Sequence, residues 1–171
     1  MRLYNGKVPA MAEDIVRSLA RDEDIEVENE AELRLDLEAV MKEFIRRDRQ
    51  VLDEAKTRME QRGLSYSVLG KMKSQVAKER GFPPNDEQLP YIVGQLLEML
   101  FHSNNFAEIF ADDPALRKKI THVVREHSDL ESELDKQVRS KIKNLQEGTQ
   151  NFEVEYAKVL ERMKRQKRLD D

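Results

Sequence analysis

The chain has 171 residues and no cysteine. That is enough for one domain or two small ones, and it excludes disulfides and thiolate chemistry. Charged residues (37%) nearly match apolar ones (39%), and Gly and Pro are scarce, which favours long amphipathic helices over sheets. The net charge of −4 argues against bulk attraction to nucleic acid, though not against a local basic patch. No run has the apolar length of a membrane span or a secretory leader, so a cytoplasmic protein is expected.

A first helix is expected over residues 8–21, with Pro9 in its first turn and Met11, Ile15, Val16 and Leu19 on one face. Residues 22–32, DEDIEVENEAE, follow with seven acids and no base. Ile25 and Val27 mark a short extended link, and Asn29 with Glu32 reads as a capping box. A second helix over 30–46 would bury Leu33, Leu37, Val40, Met41, Phe44 and Ile45. A third, from Asp48, carries Val51, Leu52, Ala55 and Met59, with Gly63 as its end or weak point. Residues 64–80 read as helical again.

GFPPND at 81–86 is the strongest punctuation, since a Gly and two prolines do not continue a helix. It divides the chain into a unit at 1–80 and a unit at 87–171. The second unit opens with a helix over 86–102, bearing Ile92, Val93, Leu96, Leu97, Leu100 and Phe101. SNN at 103–105 is a turn, and Phe106, Ile109 and Phe110 form a short apolar turn docked on the core. Asp113-Pro114 starts a helix running to about residue 126, with the acid as cap. Ser128 to Glu131 reads as a second capping box, opening one helix that runs almost to the end. Gly148-Thr149 is its weak point. At full length it would reach roughly 60 Å and need cover from another helix or another copy.

The two units share a rhythm. Ile15-Val16 matches Ile92-Val93. Leu37, Met41, Phe44, Ile45, Val51, Ala55 and Met59 match, at one constant offset, Leu116, Ile120, Val123, Val124, Leu130, Leu134 and Val138. The apolar positions agree where the charges do not, as in duplicated helical units with one packing plan. The expected fold class is therefore all-α: two related three-helix units with long third helices in extended, coiled-coil-like packing.

Candidate chemistry is sparse. Glu98 with His102 and His122 with Glu126 are each four apart on a helix, and two such pairs would make a four-ligand site. The Glu/His spacing of di-iron bundles and the H-E-x-x-H motif are both missing, so the pairs read as helix-surface polarity, with no metal and no cofactor expected. No serine elbow or glycine-rich phosphate loop occurs, and no enzymatic activity is expected. Two charged patches remain. The acidic one is Asp22, Glu23, Asp24, Glu26, Glu28 and Glu30, an expected dock for a basic partner that lacks the alternating ligands and central Gly of a calcium loop. The basic one is Lys158, Arg162, Lys164, Arg165, Lys167 and Arg168, which suits a helix C-terminus and has no interleaved aromatics for base stacking.

The opening MRLYNGKV, the mid-chain LLEMLFHS, FADDPALRKKI and the late ELDKQVRSKIKNLQEGT resemble a bacterial family known as domain of unknown function 507. The likeness covers nearly the whole chain. It implies a small, soluble bacterial protein with a helical fold, and it carries no catalytic or ligand residues. The expected function is a non-enzymatic helical adaptor or assembly protein with a protein partner or a second copy of itself. Nucleic-acid association through the basic helix is the alternative, and no membrane is expected.

Overall fold

The computed structural model describes residues 1–146 and 149–167. After a turn of 3-10 helix at Asn5–Lys7, α1 runs over Val8–Arg21 with Pro9 in its first turn, burying Met11, Ile15, Val16 and Leu19. It ends in a Schellman motif. The Asp24 N–H reaches the Leu19 carbonyl at 3.0 Å and the Glu23 N–H reaches Ala20 at 3.2 Å. The left-handed position, usually glycine, is held by Glu23 at φ 56°, which costs about 1 kcal/mol.

Strand β1 is Ile25–Val27, where an extended link was expected. Helix α2 is Glu30–Gln61. Asn29 caps it as expected, accepting from the Glu32 N–H at 3.2 Å. It is one helix, not the two expected at 30–46 and from 48. Residues 46–49 are charged but contain no breaker, and Glu43–Arg46 (2.6 Å) and Arg49–Asp53 (3.9 Å) pair along the turn. Gly63, at φ 60°, closes it with a second Schellman motif. Helix α3, Leu69–Glu79, folds back on α2. It is tied there by Lys73–Asp48 (2.8 Å), Arg58–Glu79 (2.6 Å) and Arg80–Glu54 (2.8 Å).

Helix α4 is Gln88–His102, and β2 is Phe106–Ile109. The apolar turn expected at 106–110 is thus a strand. It pairs antiparallel with β1, Ile25 opposite Ile109 and Glu26 opposite Glu108. A period-2 signal is invisible in a strand this short. Helix α5 is Asp113–Ser128, and its cap is Asp112, accepting from the Ala115 N–H at 2.9 Å, one residue before the expected Asp113. Helix α6, Leu130–Lys141, follows across Asp129, whose backbone is itself helical. The expected cap at Ser128 does not form: its hydroxyl donates back to the Arg125 carbonyl at 3.0 Å.

The long terminal helix is also corrected. α6 ends at Lys141, and α7, Gln150–Gln166, is a separate helix capped by Thr149 and packed against α6. Gly148 lies outside the described residues. The reason is burial: one straight helix would leave Leu134, Val138 and Ile142 uncovered, whereas folding back sets them against Phe152, Val159 and Met163.

Helices α1, α2, α4 and α5 form a closed ring, α1 on α2, α2 on α4, α4 on α5 and α5 on α1. The two strands link these helices pairwise, so the order helix–strand–helix occurs twice. One buried cluster runs through this ring, α3 and Phe82, which sits in the turn at 81–86. A second, smaller cluster joins α6 and α7 to a single residue from the other end of the chain, Tyr4. The neighbouring Leu3 belongs to the first cluster. Among the described residues, no helix is long and apolar enough to cross a membrane.

Candidate docking surface

The expected acidic patch is split by the fold. Asp22 and Asp24 turn toward α5, where the Lys119 ammonium lies 2.6 Å from Asp22 and also contacts Asp24. The Lys119 hydrogen bond, then its charge, holds the Asp22 carboxyl below its ordinary value. Hydrogen bonds to Asp22 and Asp24 raise the Lys119 ammonium in return. These two acids brace α1 against α5.

Glu23, Glu26, Glu28, Glu30 and Glu32 are exposed, and Glu108 of β2 joins them. Among the described residues, none of the six has an ion-pair partner, whereas most acids elsewhere on α1, α2 and α3 are paired. Glu26 and Glu108 stand opposite each other across the ribbon, an arrangement that like charges disfavour. Glu30 and Glu32 have a local reason, lying in the first turn of α2 near the positive end of its dipole. Glu23, Glu26 and Glu108 have none. Glu108 was missed by sequence reasoning because it stands alone in an apolar stretch.

The ribbon leads into a groove. Backbone N–H groups of Glu28 and Asn29 donate to the Asn105 carbonyl at 3.0 and 3.1 Å. The Asn105 amide and the Ser103 hydroxyl donate to the Asp36 carboxylate at 2.8 and 3.1 Å. Asp36 stands at one end of an open groove of about 340 Å³ between α2 and α4. Its walls are apolar, from Ala39, Val40, Phe44, Ile92 and Met99, with Glu43 and Gln95 among its polar groups. Arg47 closes the far end, donating to the Tyr91 hydroxyl at 3.0 Å and the Gly81 carbonyl at 3.2 Å, its guanidinium over Phe82. Apolar walls with several polar groups among them are a form that binding clefts take. No sequence signal marked it, because its two walls lie far apart in the chain.

The basic patch is mostly engaged. Lys158 pairs with Glu155 at 2.9 Å and Arg165 with Glu161 at 2.7 Å. The Lys164 ammonium sits over the Tyr4 ring, and Lys167 donates to Gln137 at 3.2 Å. Arg162 is exposed; Arg168 lies outside the described residues. The two histidine pairs stay apart. His102 Nδ1 lies 2.8 Å from its own helix's Glu98 carbonyl, and His122 and Glu126 meet at 3.4 Å on the surface of α5. Among the described residues, no group of three or more ligating side chains is assembled for a metal. The third histidine, His127, contacts Asp14 of α1 at 2.9 Å.

A family model described as "Protein of unknown function (DUF507)" matches residues 1–169. A comparison with curated proteins finds no match. The family match covers the α1–α5 ring, the acidic ribbon and the α6–α7 pair alike, and by it this chain belongs to the DUF507 family.

Proposed function

We propose that this protein is a non-enzymatic helical adaptor of the bacterial cytoplasm, and that its acidic ribbon docks a basic segment of a protein partner. The observation that carries the reading is the set of six glutamates with no ion-pair partner among the described residues, with Glu26 opposite Glu108 at its centre. Uncompensated like charge at a strand pair works against the fold and favours an incoming cation. Glu23 adds to it: a non-glycine residue in the left-handed region and an acid at the negative end of α1, unfavourable on both counts for stability alone.

The test is reversal of Glu26, Glu28 and Glu108 to Lys. The full chain and this variant are each purified from the native host, with and without nuclease, and the recovered material is identified. A stoichiometric, nuclease-resistant partner is expected with the parent and not with the variant, its rebinding as a pure component weakening with salt. A partner held equally by the variant would end the reading. Material lost on nuclease treatment would replace it with nucleic-acid association.

A further inference from the structure

We infer that the α2–α4 groove takes the apolar anchor of a cationic amphipathic helix belonging to the partner. The inference rests on the docking reading above and names what the groove holds.

The first argument is the face of α2. Glu32, Asp36, Val40, Glu43 and Arg47 follow one another at intervals of three or four residues, so they form a single stripe. Three carboxylates flank an apolar centre on that stripe. Along α2 they stand about 6 and 10.5 Å apart by helical rise. A helix laid along α2, with an apolar residue over Val40 and Met99 and Lys or Arg toward Glu32 and Asp36, matches it; Glu43 is already held by Arg46. This is the helix-in-groove mode of recognition. The carboxylates also disfavour phosphate, and the groove's Arg47 is already engaged by the Tyr91 hydroxyl and the Gly81 carbonyl.

The second argument is the opposite side of the ring. Aligning Ile15-Val16 with Ile92-Val93 and Leu37 with Leu116 sets α1 on α4 and the start of α2 on α5. Val40 then answers to Lys119, Met99 to Asp22 and Tyr91 to Asp14. Both helix pairs, α2–α4 and α5–α1, are packed pairs in the ring. Each is tied by a polar contact, Arg47–Tyr91 in one and, one position beyond the aligned Glu126, His127–Asp14 in the other. At the aligned positions Val40 and Met99 against Lys119 and Asp22 they differ. On the α5–α1 side the Lys119–Asp22 ion pair spans the gap, and on the α2–α4 side Val40 and Met99 leave it open and apolar. The aligned positions are bridged by charge on one side and left as a groove on the side that adjoins the acidic ribbon.

The test uses the full chain carrying ¹³C-methyl methionine and two synthetic helical peptides of about 16 residues, four turns or more. Both have leucines at i, i+4 and i+7. One carries Lys at the flanking positions, the other Glu. The expected result is that the Lys peptide shifts the Met99 methyl and spares Met72, that the Glu peptide does not bind, and that Ala39→Arg, an exposed change inside the groove, weakens the Lys peptide about tenfold or more. Glu32→Lys, on the same stripe but outside the groove, weakens it less and serves as the variant that leaves the groove intact. No shift at Met99, equal binding of both peptides, or an unaffected Ala39→Arg variant overturns the inference. A concentration-dependent Met99 shift without peptide, with dimers in sedimentation, assigns the groove to a second copy and also overturns it. If Ala39→Arg is silent while reversal of Glu26, Glu28 and Glu108 abolishes binding, the docking reading stands and the groove is removed from it.

Discussion

The ring α1–α5 and the pair α6–α7 are built from similar amphipathic helices but are held differently. The ring buries its apolar residues against helices on two sides, and its core draws on both halves of the chain. The α6–α7 pair has one shared face, completed by Tyr4 from the N-terminal segment. Polar contacts reinforce that small cluster: Tyr156 donates to Asp135 at 2.7 Å, and Arg139 lies over the Phe152 and Tyr156 rings. The difference teaches that a helix pair of this kind is stable only where a third element closes it.

The largest test of that contrast lies in the ring. Leu37 is fully buried at its centre, and Leu37→Ala should lower global stability by about 2–5 kcal/mol in denaturant unfolding, with both regions lost together. Tyr4→Ala should cost less globally, about 2 kcal/mol, because loss of one region's docking limits the effect. Its mark should be local: faster hydrogen exchange in α6 and α7 with α1, α2 and α4 still protected. Equal exposure of both regions would show that the pair is not separately held.

The helix caps sharpen the same comparison. Asn29→Ala and Thr149→Ala each remove one side-chain cap, worth about 1 kcal/mol. The first should speed exchange at the start of α2, the second only in α7. A Thr149→Ala variant that also loosens α2 would count against two independently held regions.

The smallest effect is on pH dependence, with one probe in each region. Asp22 is held low by Lys119. For Asp135, burial pushes the carboxyl up, but the Tyr156 hydrogen bond and Arg139 more than offset it, leaving it below its ordinary value. A carboxyl with a depressed folded value stabilises above its unfolded pKa of about 3.9, and that stabilisation is lost as pH falls through the folded value. Lys119 is raised, so its share is present below about pH 10.4, the unfolded value, and is lost as pH rises through the folded one. Carboxyl titration by NMR should place both acids low. Tyr156→Phe should raise Asp135 and not Asp22, and Lys119→Met should raise Asp22 and not Asp135.

The helices were legible because their caps and apolar periods are local. Pro9, Asn29 and the Gly63 stop each act within a few residues. The unbroken α2 was hidden by its charged middle, which looks like a boundary although Asp48 is used inside the fold, against Lys73. The fold-back of α7 was hidden because the stripe that pairs α6 with α7 reads equally as the face of one continuous helix, and Tyr4, which joins their cluster, is remote in sequence. The candidate site divided the same way. The acidic run was plain to read, but the part taken by Lys119, the addition of Glu108 and the whole groove arise only when distant segments meet.

The Tyr4 contact has one further consequence, for synthesis. Tyr4 leaves the ribosome early and Lys164 late, so everything needed for the ring is made before the ring of Tyr4 has its cover. A chain interrupted between α6 and α7 would hold an aromatic side chain that lacks the part of its cover supplied by α7. Quality control that recognises exposed apolar surface would thereby tell an unfinished chain from one that has reached α7.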